Sequence, residues 1–137
     1  MYQKLIIVGN LGGDPEMRYT PSGTPVTHFS VATNRRWTNQ QGEQQDETTW
    51  FRVSCWDKLA ETTNQYLSKG RPVLIEGTLI PDSQTGGPRI WTGNDGIARA
   101  SFEVRAWAVR FLPSRQDREA APFEASEEGL DEEEIPF

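Results

Sequence analysis

The chain has very few of the residues that build disulfides and metal sites. Cys55 is the only cysteine among 137 residues, so no disulfide can form within one chain. A single cysteine fits a reducing compartment, and the cytoplasm is the expected location. His28 is the only histidine, and one Cys with one His does not supply the ligands of a structural zinc site. We therefore expect no metal and no other cofactor.

Long hydrophobic runs are also missing. No apolar segment approaches the roughly 18 residues that a membrane-spanning helix requires. The short apolar stretch at residues 5–8 ends at Gly9 and Asn10, and no cationic segment with a small-residue cleavage site accompanies it. We expect neither contact with a membrane nor a signal peptide.

Patterns typical of catalysis are absent as well. The glycine-rich segment GNLGGDPE (9–16) is not followed by Lys-Ser or Lys-Thr, so it is not a P-loop. Asp14 and Glu16 are close in sequence, but two solvated loop acids around Pro15 are the more ordinary interpretation. His28 stands alone in a predicted strand, without an acid or a nucleophile near it. The sequence predicts a protein that is not an enzyme.

Acidic residues are abundant, and they are concentrated at one end of the chain. The formal net charge is −6. Two basic and nine acidic residues give −7 to residues 113–137, whereas twelve basic and eleven acidic residues give +1 to residues 1–112. Low apolar content predicts that 113–126 is a short disordered linker and that 127–137 is an acidic tip. In the near-neutral body, the placement of the charges matters more than their sum.

The strand pattern predicts an all-β domain over residues 1–112. Runs of β-branched and alternating apolar residues indicate five strands, at 4–9, 26–34, 48–56, 71–80 and 99–112. Residues 10–25 form loop or edge structure in this interpretation, 35–47 an extended hairpin arm, and 81–98 a turn-rich excursion. Three strands, one helix and two further strands fit a five-stranded Greek-key barrel of the OB type. An antiparallel sandwich is the alternative that this pattern leaves open.

One short helix is predicted over residues 57–70. Asp57 is expected to cap its start, and Gly70 is expected to end it. Its apolar side is expected to consist of Leu59, Tyr66 and Leu67.

The segment TWFRVSCW (49–56) carries the strongest functional signal. Side chains alternate along a strand, so Phe51, Val53 and Cys55 are expected to face the core. The opposite face then carries Trp50, Arg52, Ser54 and Trp56. Two exposed indoles around a guanidinium require a partner. Single-stranded nucleic acid offers base faces to tryptophan and phosphates to arginine, whereas a duplex hides its base faces. Packing of a tryptophan under the helix or in a subunit interface is the alternative.

Two further tryptophans have the same kind of neighbours. Trp37 stands beside Arg35 and Arg36 at the start of the hairpin arm, and Trp91 stands close to Arg89 in the 81–98 excursion. The predicted stacking residues are Trp37, Trp50, Trp56 and Trp91. The predicted phosphate contacts are Arg18, Arg35, Arg36, Arg52, Lys58, Lys69 and Arg89. Trp107 has no such loop setting and is not assigned to the ligand.

Three stretches resemble the bacterial single-stranded DNA-binding proteins, the SSB family. They are KLIIVGNLGGDPEMRYTPSGTPV (4–26), TTWFRVSCWDKLAETTNQYLSKGRPVLIEGTL (48–79) and the terminal EEEIPF (132–137). The resemblance implies an OB fold, a homotetramer, and base stacking at the four tryptophans named above. It also implies a nucleoid-associated protein of DNA replication, recombination, repair and the SOS response. The sequence departs from the family in a short linker, in extra residues before Trp91, and at Trp56, where phenylalanine is more common.

The resemblance also gives the end of the chain a role. It implies that a terminal peptide recruits replication, recombination and repair proteins, with Phe137 in an apolar pocket and its carboxylate on a basic rim. The residues of this tip are Asp131, Glu132, Glu133, Glu134, Ile135, Pro136 and Phe137. The expected function is non-enzymatic binding of single-stranded DNA with little sequence preference. The alternatives are a primosomal or recombination accessory OB protein that acts mainly through protein contacts, a hydrolase, and a carbohydrate-binding OB domain.

Overall fold

Strong alternation of buried and exposed residues sets the strands of this protein. The computed structural model describes residues 1–114. The predicted acidic tip and nearly all of the predicted linker therefore lie outside the described residues. The elements are β1 (Leu5–Leu11), β2 (Glu16–Tyr19), β3 (Pro25–Thr38), β4 (Gln44–Trp56), α1 (Lys58–Tyr66), β5 (Pro72–Ile80), β6 (Arg89–Thr92) and β7 (Ala98–Phe111).

The five long strands close into a barrel. Their order is β1-β5-β7-β4-β3, and β3 returns to β1 through the pairs Asn10–Ala32 and Leu11–Val31. β4 and β7 run parallel, and the other neighbours are antiparallel. The predicted five-stranded OB-type barrel with one helix is confirmed. No helix within residues 1–114 is long and apolar enough to cross a bilayer.

The inward residues of these strands make one core. Each long strand except β1 contributes at least one fully buried side chain. These include Val31, Val53, Val73, Ile75 and Val104. β1 adds Ile7 and Leu11, which are nearly as buried. The helix packs on β3, where the hydroxyl of Thr27 donates a hydrogen bond to the carbonyl of Ala60 at 2.7 Å.

The helix is shorter than predicted: it begins after Asp57, as predicted, but it ends before Gly70. Asp57 occupies the N-cap position, but no hydrogen bond from its side chain caps the helix in the described structure. Its φ is +58°, whereas a capping side chain reaches the first amides from the extended region. The helix ends at Tyr66 because Leu67 is extended. Gly70, with φ +86°, instead belongs to the turn that leads into β5.

The predicted apolar side of the helix is partly wrong. Leu59 and Leu67 pack on the core. Tyr66 is exposed, and its ring lies 6.1 Å from that of Phe111 at the end of β7. The tyrosine therefore covers the end of the last strand and does not enter the core.

β3 and β4 extend beyond the barrel as a hairpin arm, as predicted for residues 35–47. Their pairing continues without a break to Thr38 and Gln44. Asn39 stabilises the connecting turn, because its Oδ1 accepts hydrogen bonds from the amides of Gln41 and Glu43. Two short strands were not predicted as separate elements: β2 pairs with β3, and β6 pairs with β7.

Close backbone approaches fix two glycines of the barrel. A Cβ at Gly9 would collide with the carbonyl oxygen of Ala32, at the point where β1 joins β3. A Cβ at Gly77 would collide with the carbonyl oxygen of Arg105, next to a bulge between β5 and β7. Both sites require a residue without a side chain.

Candidate nucleic-acid interface

The outer face of β4 presents two tryptophans and one arginine. Val53 and Cys55 are fully buried, as the alternation predicts, and Trp50 on the other face is 54% exposed. Trp56 is half-buried. Ser54 shares this face but is buried, and its Oγ lies 3.1 Å from Nδ1 of His28 on β3. The Ser54 hydroxyl is therefore less accessible to a ligand than the side chains of Trp50 and Arg52.

Trp50 stands between two grooves. One groove runs toward the β1–β2 loop and includes Gly12 and His28. The other runs toward β6 and includes Trp91. Trp50 and Arg52 line both grooves. The indole packs on the loop, because a Cβ at Gly12 would lie 2.5 Å from its Cζ3 atom.

The second groove, about 470 Å³ in volume, brings together two of the predicted stacking residues. Trp91 on β6 is partly exposed and faces the same space as Trp50. The guanidinium of Arg89 lies 5.8 Å from the centre of the Trp91 ring. Antiparallel pairing of β6 with β7 places Trp91 opposite Arg99. The extra residues before Trp91 therefore form an excursion that still returns this tryptophan to the barrel.

Trp37 is separate from this face. Trp37 pairs with Gln45, whereas Trp50 pairs with Ala32, so the two tryptophans lie on opposite faces of the β3–β4 ladder. Arg35 shares the face of Trp37, with its guanidinium 4.5 Å from the ring centre. Arg36 points the other way and pairs with Asp46 at 3.8 Å. Trp37 would therefore meet a ligand from the arm and not from the barrel surface.

Arg105 is a candidate that sequence reasoning missed. Its guanidinium lies 5.4 Å from the ring centre of Trp56. The parallel pairing of β4 with β7 sets Ser54 opposite Arg105 and Arg52 opposite Glu103. Arg105 points outward, because its neighbours Val104 and Ala106 are buried. Only the pairing of two strands far apart in sequence reveals that it lies beside Trp56.

The other predicted cations are scattered. Arg18 lies on β2 and pairs with Glu16 at 3.8 Å. Lys58 begins the helix, and Lys69 lies in the turn after it. Neither lysine is among the described residues that line the two grooves.

Glu103 and His28 both affect the net charge of the groove. Glu103 lies within 3.8 Å of both Arg52 and Arg89. Burial, followed by the positive charges of Arg52 and Arg18, lowers the pKa of His28 below its usual 6.5. His28 is therefore neutral at pH 7, and the arginines supply the positive charge of the groove.

The groups that could serve catalysis have structural roles. Oδ1 of Asp14 accepts a hydrogen bond from the amide of Lys69 at 2.9 Å, which ties the β1–β2 loop to the turn after the helix. Burial raises the pKa of Cys55 to about 12, so its thiol remains protonated. Residues 1–114 contain no group of three or more His, Cys, Asp or Glu side chains that could hold a metal ion.

A five-stranded barrel of this topology belongs to the OB class, whose members bind oligonucleotides and oligosaccharides. The exposed aromatic and cationic face described above lies on this barrel. Residues 2–112 match the "Single-strand binding protein family". The chain belongs to that family.

Relatives and solved structures agree with this assignment. A "Single-stranded DNA-binding protein" of Wolinella succinogenes is 42% identical over 115 residues, which cover 84% of this chain and 67% of the relative. One from Neisseria meningitidis serogroup A is 38% identical over 122 residues, which cover 88% of this chain and 66% of the relative. The matched part thus spans about two thirds of the length of these relatives.

Among solved structures, a small single-stranded DNA-binding protein from Streptomyces coelicolor gives a TM-score of 0.65 at 25% identity, covering 80% of this chain and 94% of its own. A Plasmodium falciparum SSB in complex with ssDNA gives 0.66 at 26% identity, covering 82% and 96%.

Proposed function

We propose that this protein binds single-stranded DNA with little base preference and is not an enzyme. The observation that carries the proposal is the groove shared by Trp50 and Trp91, with Arg52 along it and Arg89 beside the second indole. This combination suits an unpaired strand, because its bases present flat faces and its backbone carries a charge at every nucleotide.

Stacking and charge have different roles in this binding. Each base stacked on an aromatic side chain contributes about 1–3 kcal/mol, and it does so for any base because every base has a π-face. The arginines add sequence-independent attraction to phosphates, which weakens as salt rises. Trp37 on the arm and Trp56 with Arg105 would extend the path of the strand beyond the central groove.

The organisation of the whole chain is part of the proposal. Residues 1–112 form the domain that binds DNA and assembles into a homotetramer, 113–126 a linker, and 127–137 a tip that recruits replication, recombination and repair proteins. The support is the terminal Ile135-Pro136-Phe137 behind four consecutive acids, together with family membership. The protein would act in the cytoplasm, at the nucleoid.

The non-enzymatic assignment has its own support in the structure. Asp14, one of the two close carboxylates, is engaged by a backbone amide, and the Cys55 thiol is buried and protonated. Loss of labelled single strand on incubation with magnesium would contradict this part of the proposal.

The test is titration of tryptophan fluorescence with poly(dT), with a duplex of equal length as control, across a salt series. We expect strong quenching by the single strand only, and we expect the affinity to fall as salt rises. An equal response to the duplex, or no quenching, would assign the aromatic face to another ligand or to a subunit interface.

A further inference from the structure

Glu103 lies between two arginines of the central groove. Its Oε1 atom is 3.7 Å from Nε of Arg52 and 3.8 Å from Nη1 of Arg89. The Glu103 side chain is 14% exposed, whereas both arginine side chains are about half exposed. One oxygen of a largely buried side chain therefore lies close to two solvent-accessible cations.

Strand pairing explains this arrangement. Parallel pairing of β4 with β7 sets Glu103 directly beside Arg52. Antiparallel pairing of β6 with β7 sets Arg89 opposite Ser101, two residues before Glu103 and on the same face of β7. Because Val104 points into the core, Glu103 points outward. The carboxylate thus links the β6 excursion, which carries Trp91, to the barrel face, which carries Trp50.

We propose that Glu103 is an internal competitor of the DNA phosphates, which pairs with Arg52 and Arg89 beside the groove in the free protein and yields both to phosphate on binding. This inference rests on the proposed function. Both distances exceed hydrogen-bond range, so the attraction is coulombic, and such pairs at a solvent-accessible surface are weak. Arginine makes shorter and stronger charge-assisted hydrogen bonds to phosphate, so the exchange favours the ligand.

The charge of Glu103 has a measurable consequence. With the carboxylate present, the three groups carry a net charge of +1, and without it they carry +2. Each phosphate neutralised on a single strand adds about 0.7 to the slope of log affinity against log salt. Glu103 therefore lowers both the affinity at low salt and the steepness of its salt dependence.

The test compares Glu103→Gln with Glu76→Gln in the full chain. Glu76 is a matched control, because it lies on β5, pairs with Lys4 at 3.2 Å, is 23% exposed, and is not among the described residues that line the two grooves. Both substitutions change the net charge by the same amount. Poly(dT) affinity is measured from about 20 to about 500 mM salt, a range over which screening becomes strong.

We expect E103Q to bind about three- to tenfold more tightly than the parent at low salt, with a slope steeper by roughly 0.7, and to converge with it at high salt. E76Q should follow the parent. Unchanged affinity and slope in E103Q would overturn the inference, as would weaker binding at every salt concentration. Equal tightening in E76Q would also overturn it, because net charge alone would then be the cause.

Glu103→Asp provides a second measurement if E103Q does not fold. It keeps the charge but shortens the side chain by one methylene, so neither arginine remains in contact range. We expect E103D to bind more tightly than the parent at low salt, and the parent's affinity and slope would contradict the inference. If the parent chain itself does not bind poly(dT), the proposed function fails. If the parent binds and E103Q behaves like it, only the role of Glu103 fails.

Discussion

Trp50 and Trp107 are exposed to nearly the same extent, 54% and 50%, but only Trp50 is among the described residues that line the grooves. We expect Trp50→Ala to weaken poly(dT) binding by about 1–3 kcal/mol, the contribution of one stacked base. Trp107→Ala is the matched control and should retain the parent affinity. Equilibrium titration of both variants checks this. Equal losses in the two would show that the strand does not follow the central groove.

Gly12 and Gly13 allow a second comparison at the scale of one atom. A Cβ at Gly12 would meet the ring of Trp50, whereas a Cβ at Gly13 would have no described atom within 4 Å. We expect Gly12→Ala to rotate the indole and to reduce both quenching and affinity, roughly as much as a partial loss of stacking, about 1 kcal/mol. Gly13→Ala should match the parent in both readouts. If poly(dT) quenches the fluorescence of G12A as strongly as that of the parent, the β1–β2 loop does not fix the orientation of the Trp50 ring.

The lowered pKa of His28 predicts how DNA binding depends on pH. Its pKa is lowered from 6.5, so the free protein takes up this proton only as the pH falls below that value. Phosphate in the adjoining groove favours the protonated ring, so binding takes up a proton in this range and affinity rises as pH falls. We expect a roughly two- to fivefold gain for poly(dT) between pH 7.5 and 5.5.

His28→Gln should remove that gain and leave the affinity at pH 7.5 near that of the parent. Thymine does not titrate in this range, so the difference between the two proteins reports on the histidine. An identical pH profile in the variant would exclude His28 as its source.

At the scale of single residues, the sequence located the exposed face of β4 because alternation depends only on neighbours along the strand. The predicted inward positions Val53 and Cys55 are buried. Alternation did not reveal that Ser54 is covered or that Trp37 lies on the opposite face of the ladder from Trp50. Both facts depend on neighbouring strands and on register.

The shortest pairing between strands of the barrel is the seam that closes it, between β1 and β3. β1 meets β3 through only two residue pairs, and Gly9 lies beside them against the carbonyl of Ala32. We expect Gly9→Ala to lower the free energy of unfolding by roughly 3 kcal/mol, at the upper end for overpacking, since backbone must move. Chemical denaturation measures this, with Gly13→Ala as control. Parent-like stability in G9A would show that the seam can separate without cost.

Element order was predictable because each long strand has its own apolar period and each break has glycine or proline. The two short strands β2 and β6 were not separately predicted, since four residues without buried partners leave little pattern. The predicted end of the helix at Gly70 was wrong because Leu67 is already extended. The predicted side-chain cap is missing because Asp57 adopts a positive φ that its sequence does not announce. The parallel contact of β4 with β7 also had no local signal, so Arg105 and the bridging role of Glu103 were not anticipated.

For the whole molecule, the separation of charge predicts self-competition. Residues 113–137 carry −7 and residues 1–112 carry +1, so the acidic end is expected to compete with DNA for the arginines. We expect deletion of residues 127–137 to raise single-strand affinity, most at low salt, where screening is weakest.

The matched control keeps the acids and replaces Ile135, Pro136 and Phe137 with alanine. It should bind DNA like the parent, because the competing charge is retained. Equal affinities of the full and truncated chains at about 20 mM salt, where the Debye length is long, would end this explanation.

The thiol of Cys55, the single cysteine of the sequence, can report on opening of the folded protein. Cys55 is fully buried in the core, and burial raises its pKa to about 12, so a thiol-reactive dye can modify it only when the core opens. The labelling rate therefore reports opening without using any tryptophan that contacts a ligand. If a variant binds DNA more weakly but is labelled at the same rate as the parent, the substitution has changed the binding surface. If it is labelled faster than the parent, the substitution has destabilised the fold.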